Sequence, residues 1–221
     1  MGRVVALFSG GMDSTTLAWK LRAEGWELIL LSFNTYRRNP REREAAERIA
    51  SRLGKATLMV FNLEFLRELF DFTEDAKKSI YNAIPDAPNI IIPYKNIIYY
   101  SLAAHIAAQT DAEALAGGHT LEDQTGLPDA SRPYLDELEA LIGRSLPYPR
   151  LRILTPLIGL RKADVVGLGH SLGAPLELSW SCWRVGELHC GLCGGCQARM
   201  KAFREAGVED RTLYSESSLN Y

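Results

Sequence analysis

No apolar run in the chain approaches the roughly 18 residues that a membrane-spanning helix needs, and the four cysteines all fall between positions 182 and 196. The first absence excludes a helical membrane span. The second excludes a disulfide-stapled scaffold over most of the chain. Charge of one sign is lacking as well: 25 Lys and Arg stand against 27 Asp and Glu, a formal net charge of −2. A general nucleic-acid surface is therefore disfavoured, although a local basic groove stays open. The start Met1-Gly2-Arg3 leads straight into Val4 and Val5 without the layout of a secretory signal, and a buried strand at that point argues against lipid attachment at Gly2. A cytoplasmic location is the expectation. At 221 residues the chain can bury a full core, as one domain or as a domain with a small appendix.

What is present organises itself around the opening stretch. Arg3 to Phe8 is a short apolar run that reads as a buried strand, and Leu17, Ala18 and Leu21 recur with helical spacing. Ser9-Gly10-Gly11-Met12-Asp13-Ser14 is then a tight turn at a strand-to-helix junction, where glycine lets backbone approach a ligand closely. Asp13 or Ser14 is expected to cap the helix, whose free N–H groups favour an anion. The loop is neither GxxxxGK[ST] nor GxGxxG, which disfavours GTPase and dinucleotide-dehydrogenase readings.

Downstream, Glu27 to Phe33 supplies a second strand, and Pro40 opens a helix carrying Ala45, Ala46, Ile49, Ala50 and Leu53 to Gly54. Arg37, Arg38, Arg41 and Arg43 make a basic mouth, read as a solvated face with phosphate or partner contact as the alternative. Lys55 to Phe61 is a third strand candidate. Phe65 to Phe70 and Thr73 to Tyr81 read as short helical pieces, and Ala83 to Asn89 as a lid or connector. Pro93 stops an extended segment, so that Tyr94, Lys95 and Asn96 form a turn: Lys95 can neutralise phosphate charge and Asn96 can cap the following helix. His105 reads as a buried or interface histidine. Ala112 to Gly118 is a further strand, and the polar loop after it, with Glu122, Asp123, Asp129 and Arg132, emerges where α/β enzymes place substrate groups. Those acids can read amino or ring N–H donors, help bind magnesium, or simply cap and solvate the loop. Tyr134 to Ile142 reads as a helix, 146–150 as a Pro-rich connector, and Arg152 to Leu160 leads into another helix that begins near Lys162.

The tail carries Cys182, Cys190, Cys193 and Cys196. Two C-x-x-C steps share Cys193, and Gly191, Gly194 and Gly195 let the backbone fold thiolates around one ion. Four thiolates suit tetrahedral zinc and also match an iron–sulfur ligand count. His189 reads as a neighbour of the site, because four thiolates already complete a tetrahedron. Trp180 and Trp183 either stack on a planar ring or pack the knuckle.

Ser9 to Ser14 resembles the SGGxDS pyrophosphate loop of the adenylating PP-loop ATPases. Three further segments are similar to the 7-cyano-7-deazaguanine (preQ0) synthases within that class: Pro93-Tyr94-Lys95-Asn96, Thr155-Pro156-Leu157, and the cysteine cluster with the closing Asp210-Arg211-Thr212-Leu213-Tyr214. The chain departs from the family pattern at Lys95, where Arg is usual. It departs again at 123–132, which lacks the family's cysteine and carries one extra residue before Arg132, so it resembles a divergent branch.

The resemblance implies an α/β, Rossmann-like adenine nucleotide alpha-hydrolase fold with a mainly parallel sheet, residues 1–175, and a C-terminal four-cysteine zinc segment, residues 176–221, packed on it. It implies ATP with Mg2+ held by Phe8, Ser9, Gly10, Gly11, Met12, Asp13, Ser14, Thr15, Lys95 and Gly118. Ser9, Asp13, Ser14, Lys95 and Lys162 would carry catalysis, and Glu122, Asp123, Asp129, Arg132, Trp180 and Arg199 would meet substrate. One zinc per chain would sit on the four cysteines. The implied reaction adenylates a deazapurine carboxylate, 7-carboxy-7-deazaguanine, and lets ammonia form an amide and then the nitrile. A homodimer without membrane or direct nucleic-acid contact is the expected assembly. Other classes remain open: a PP-loop tRNA thiolase or amidating ligase, or a noncatalytic nucleotide fold bearing a binding knuckle.

Overall fold

A computed structural model describes residues 2–35, 38–66, 92, 94–145 and 151–215. The helical piece at Thr73 to Tyr81, the connector at Ala83 to Asn89, Pro93, Arg37 and the connector at 146–150 lie outside the described residues.

Five strands, β1 (Arg3–Leu7), β2 (Glu27–Asn34), β3 (Ala56–Asn62), β4 (Ala114–Ala116) and β5 (Arg152–Leu154), form one sheet in the order β3-β2-β1-β4-β5. Every pairing is parallel, so every connection must cross over, and the helices have to cover both faces. The strand alternation assigns those faces. Val4, Ala6, Leu28 and Leu30 turn to one side, where they pack with Leu17 and Leu21 of α1 (Met12–Ala23) and with Ile49 and Leu53 of α2 (Pro40–Leu53). Val5, Ile29, Leu31, Leu115 and Ile153 turn to the other. There they meet Tyr100, Ala103 and Ala107 of α3 (Lys95–Thr110), and Leu135 and Leu138 beyond α4 (Leu121–Gly126), on α5 (Arg132–Ser145). Each fully buried leucine or isoleucine contributes about 1.5–3 kcal/mol relative to exposure, which makes these two layers the main stabilising mass.

Helix α1 has no polar face. Thr15 and Thr16 are fully buried along with Leu17 and Ala18, because α6 (Lys162–Ser171) covers the side that a two-layer arrangement would leave wet. The buried hydroxyls are satisfied by main chain: Thr15 Oγ1 donates to Gly11 O at 2.8 Å and Thr16 Oγ1 to Val165 O at 3.3 Å. The last helix, α7 (Gly194–Ala206), packs on α6, and Met12, Val166, Leu176, Ala202 and Phe203 share one cluster that runs across residue 175.

Element types follow the pattern read from the residues except after β4, where the stretch read as a polar loop forms α4, started by a Thr120–Asp123 capping box, and a 3-10 turn at Pro128–Ala130; other differences are local. The first helix is not capped by Asp13 or Ser14. Gly11 is its N-cap with no side-chain cap bond, and Ser14 Oγ donates to Gly11 O at 3.0 Å. Nor does Asn96 cap α3. Tyr94 takes the N-cap position at φ 56, a left-handed conformation that costs a bulky residue on the order of 1 kcal/mol, and Asn96 Nδ2 donates to Asp129 O at 3.1 Å. Pro40 is the first residue of α2, as its fixed φ favours, with Asn39 as the cap.

Candidate functional site

The order β3-β2-β1-β4-β5 places the topological switch between β1 and β4, where chain leaves in opposite directions and opens a crevice at the strand ends. A cleft of about 530 Å³ occupies that place, with Ser9, Asp13, Gly118, Lys162 and Trp180 on its walls. Its floor is the 9–14 turn. Gly10 sits at φ +91, and a methyl group there would lie 2.6 Å from Ala46 N and 2.7 Å from Glu42 O. Only glycine fits, both for the angle and for the close approach of α2. Gly10 N donates to Ser14 Oγ and Gly11 N to Ser9 Oγ, each at 3.2 Å. The serines thereby shape the turn, and the first-turn N–H groups of α1 are left facing outward without helical acceptors, a ready anion site. A methyl at Gly118 would lie 3.2 Å from Asp13 O and 3.3 Å from Ser14 N, so the end of β4 backs directly onto that turn.

Two cation–carboxylate sets face the cleft. Lys162 Nζ lies 2.7 Å from Asp13 Oδ2, while Asp13 Oδ1 is buried with no hydrogen-bond partner among the described residues. Burial holds the Asp13 carboxyl above the ordinary carboxylate range, with Lys162 opposing. Burial alone would lower the Lys162 ammonium, but Asp13, Asp123 and Glu122 outweigh it and raise its pKa. On the β2 side, Arg38 Nη2 donates to Ser9 O at 2.8 Å and Nη1 to Phe33 O at 3.1 Å. It clamps the loop to the end of β2. Burial pushes Glu42, beside it, upward.

The four cysteines close the far wall. Their Sγ atoms all lie within 4.8 Å of one another, with Cys190–Cys196 at 4.0 Å and Cys182–Cys193 at 3.9 Å. Backbone N–H groups of Trp183, Cys190, Leu192 and Cys193 point at the sulfurs, an arrangement that favours thiolates and can hold a metal ion. The knuckle is fastened to the nucleotide side of the cleft. Trp180 N donates to Gly10 O at 2.9 Å, and Asn39 Nδ2 to Arg184 O at 2.8 Å. His189 supports it from outside, accepting from Ser181 N at Nε2 and packing on Trp180.

Of the residues singled out from sequence, Phe8, Ser9, Gly11, Met12, Asp13, Ser14, Lys95, Gly118, Asp123, Lys162 and Trp180 line the cleft. Others are placed elsewhere, each for a physical reason. Gly10 and Thr15 form the loop's interior. Glu122 is spent on the start of α6, accepting from Lys162 N at 3.0 Å. Asp129 contributes its carbonyl to Asn96. Arg132 is paired with Asp136 and bonded to Ile153 O and Thr155, so it braces β5, and it is not among the residues that line the cleft. Arg199 is fully buried on α7: Nε lies 3.2 Å from Asp210, Nη1 2.8 Å from Ser179 Oγ and Nη2 2.8 Å from Leu176 O. It is an internal staple, placed away from the residues that line the cleft. Glu42, Tyr99 and His119 line the cleft without having been singled out for it. Only His119, directly after Gly117-Gly118 at a strand end, carried a local signal.

A doubly wound parallel sheet with this loop at its switch point defines the PP-loop class of ATP-dependent enzymes. The fold agrees with solved structures. A predicted subunit of a tRNA methyltransferase from Methanocaldococcus jannaschii is 25% identical with a TM-score of 0.51, over 78% of this chain and 74% of that one. A 4-thiouridine synthetase solved with RNA and bound ATP has a TM-score of 0.53 at 19% identity, over 93% and 50%, a likeness of fold alone. The family model described as queuosine biosynthesis protein QueC matches residues 3–207, and the chain belongs to that family. Relatives named 7-cyano-7-deazaguanine synthase include that of Campylobacter curvus, 35% identical over 99% of this chain and 100% of the relative. Another, from Methanothrix thermoacetophila, is 33% identical over 97% and 99%. No helix among the described residues is long and apolar enough to cross a membrane.

Proposed function

We propose that the chain converts 7-carboxy-7-deazaguanine, ATP and ammonia to 7-cyano-7-deazaguanine as a carbon–nitrogen ligase. The observation that carries this reading is that the SGGxDS turn and the cysteine knuckle border one cleft, joined by the Trp180–Gly10 hydrogen bond. In the first step a carboxylate oxygen attacks the α-phosphorus of ATP and pyrophosphate leaves. Ammonia then attacks the acyl carbon, AMP departs with its electron pair, and a proton is lost to give the amide. A second ATP activates the amide oxygen in the same way, and departure of AMP with its electron pair together with loss of both amide N–H protons leaves the nitrile. No enzyme nucleophile is needed, because ATP makes the electrophile.

This chain's residues position and neutralise. The outward N–H groups after Gly11, shaped by Ser9 and Ser14, receive pyrophosphate, and Lys162 and Lys95 offset its charge. Lys95 supplies a point charge where a guanidinium would give a bidentate contact. The partnerless Asp13 Oδ1 and the nearby Asp123 are hard oxygen donors suited to Mg2+, which would neutralise phosphate charge. Trp180 offers a flat apolar face to the deazapurine. The four sulfurs suit Zn2+: a tetrahedron with bonds of about 2.3 Å has edges close to the separations found here. One zinc per chain would tie the 176–221 segment onto the 1–175 domain. The assembly we propose is a cytoplasmic homodimer acting on small molecules.

The test is incubation of metal-loaded protein with ATP, Mg2+, ammonium and 7-carboxy-7-deazaguanine, followed by mass identification of the base. Amide and nitrile products are expected. Absence of both from folded, metal-loaded protein would sink the substrate assignment, and AMP release that required tRNA would favour a thiolase or amidating activity instead.

A further inference from the structure

His119 is the first residue past Gly117-Gly118 and lies on the cleft wall beside Asp123. Its Nε2 is 3.0 Å from the hydroxyl of Tyr100, a side chain on α3 with no exposed surface. A buried phenol hydrogen needs an acceptor, and among the described residues His119 Nε2 is the partner this hydroxyl has. That contact occupies the Nε2 lone pair. A neutral imidazole whose Nε2 accepts carries its hydrogen on Nδ1. The ring's orientation directs that hydrogen. A methyl group at Gly117 would lie 2.9 Å from both Cδ2 and Nε2, so the Cδ2–Nε2 edge faces Gly117 and the buried Tyr100 hydroxyl, and Nδ1 lies on the opposite edge of the ring.

We propose that His119 serves the cleft as a neutral hydrogen-bond donor, presenting Nδ1–H to an oxygen anion of the bound nucleotide or of the activated carboxylate. The proposal rests on the reading of this cleft as the ATP and carboxylate site, and adds a role that the loop and the lysines do not fill. Burial lowers the ring's pKa, Lys95 acting with it and Asp123 and Asp129 against, while burial holds the Tyr100 phenol well above its usual range as an intact donor. The same geometry denies His119 the task of taking a proton from ammonia, since the lone pair a base would use faces Tyr100. A fixed N–H aimed where negative charge develops needs no reorganisation during reaction, which is the condition for efficient electrostatic stabilisation.

Three variants separate this role from a structural one. In His119→Asn the carboxamide nitrogen can occupy the Nδ1 position and keep a donor in the cleft. In His119→Gln the longer side chain reaches toward Tyr100 and gives up the cleft donor. Tyr100→Phe frees the tautomer. Removing one such donor costs roughly 10²-fold in kcat, so His119→Gln is expected to lose about that factor and His119→Asn to stay within about tenfold of the parent. Nitrogen-15 spectra of the parent are expected to show Nδ1 protonated and Nε2 bare, a pattern lost in Tyr100→Phe. Weakened ATP binding by His119→Gln without carboxylate present assigns the acceptor to the nucleotide. Unchanged ATP binding with slowed amide formation assigns it to the carboxyl-derived oxygen. Equal activity of His119→Gln and the parent, or an Nε2-protonated ring, overturns the proposal. A parent protein that neither binds ATP nor turns over would instead overturn the functional reading, and the nitrogen spectra would still report the tautomer.

Discussion

The ammonium of Lys162 stands 2.7 Å from Asp13 Oδ2, joining the start of α6 to the first turn of α1 across 149 positions of sequence. Both side chains are largely covered, 24% and 27% exposed, so the attraction between the charges is set against the cost of desolvating them. Its weight falls on chemistry. Lys162→Met is expected to slow pyrophosphate release from ATP by roughly 10²-fold and, by leaving the Asp13 carboxylate without its cation, to lower the urea midpoint as well. A large loss of stability with normal turnover would reverse that assignment.

Asp13 itself sets a dependence on pH. Because burial raises its native pKa, the folded protein binds a proton more readily than the unfolded chain, and stability falls as pH rises from the ordinary carboxylate value through the raised one. The cost is complete once the pH has passed the raised native value. Asp13→Asn is therefore expected to be more stable than the parent at pH 7, with the advantage shrinking toward acid, and to lose turnover. Urea unfolding across pH checks the sign, and an Asp13→Asn chain less stable than the parent at pH 7 would contradict it.

Gly10→Ala combines a left-handed backbone with a contact that cannot relax, since the atoms met are the main chain of α2. The backbone term alone costs about 1–2 kcal/mol, and relief requires moving either the turn or the helix. ATP affinity, read by calorimetry, is expected to fall at least about tenfold for each 1.4 kcal/mol that the displaced turn withholds. An unchanged affinity would show that the turn adapts.

Arg199 and Asp210 form a buried ion pair on the far side of the knuckle. Arg199→Met leaves the Asp210 carboxylate without its cation and is expected to destabilise by about 3–5 kcal/mol in urea. Burial tends to raise the Asp210 pKa, but Arg199 and the Tyr214 and Thr212 hydrogen bonds outweigh it and hold it low. Its stabilisation is present above the ordinary carboxylate pKa and is lost only as pH falls through the lowered native value. Adding Asp210→Asn to Arg199→Met should recover part of the loss. No recovery would mean that packing of the guanidinium over Phe203 is what mattered.

Removing metal should release one ion per chain, counted with a chromophoric chelator, and weaken the knuckle without melting the sheet. The buried residues of the two core layers are distinct from those of the cysteine cluster, and Trp180 is the side chain that packs against both the first layer and the knuckle. Cys182→Ser is expected to lose the ion and keep the far-ultraviolet circular dichroism of the α/β layers. Collapse of both together would show the knuckle to be part of one cooperative unit.

The parallel sheet was readable because buried strands and amphipathic helices leave different periods, as Val4-Val5-Ala6 and the α2 stripe of Ala45, Ala46, Ile49 and Leu53 do. The turn at 9–14 and the cysteine spacing were readable because their chemistry is local. What resisted reading depends on contacts between distant segments. Arg199 looks like any helical arginine until Asp210, Ser179 and the Leu176 carbonyl surround it. Arg132 looks like a ligand-reading cation until β5 supplies its acceptors. Helix α1 was legible as a helix, yet nothing in Thr15-Thr16 announces that α6 will cover them. The cap positions of α1 and α3 were misplaced because Gly11 and Tyr94 act through backbone conformation and carry no side-chain cap.

The hydrogen bond from Trp180 N to Gly10 O joins the cysteine knuckle to the turn proposed to receive phosphate, and so offers a route by which two binding events can be coupled. Whatever holds the cysteine knuckle in its closed form also holds the carbonyl of the residue on which the turn pivots. If metal tightens the grip on nucleotide by some factor, nucleotide must tighten the grip on metal by the same factor. On the proposed reading the phosphates would sense the four sulfurs indirectly, and a chain stripped of its ion is expected to hold ATP less tightly.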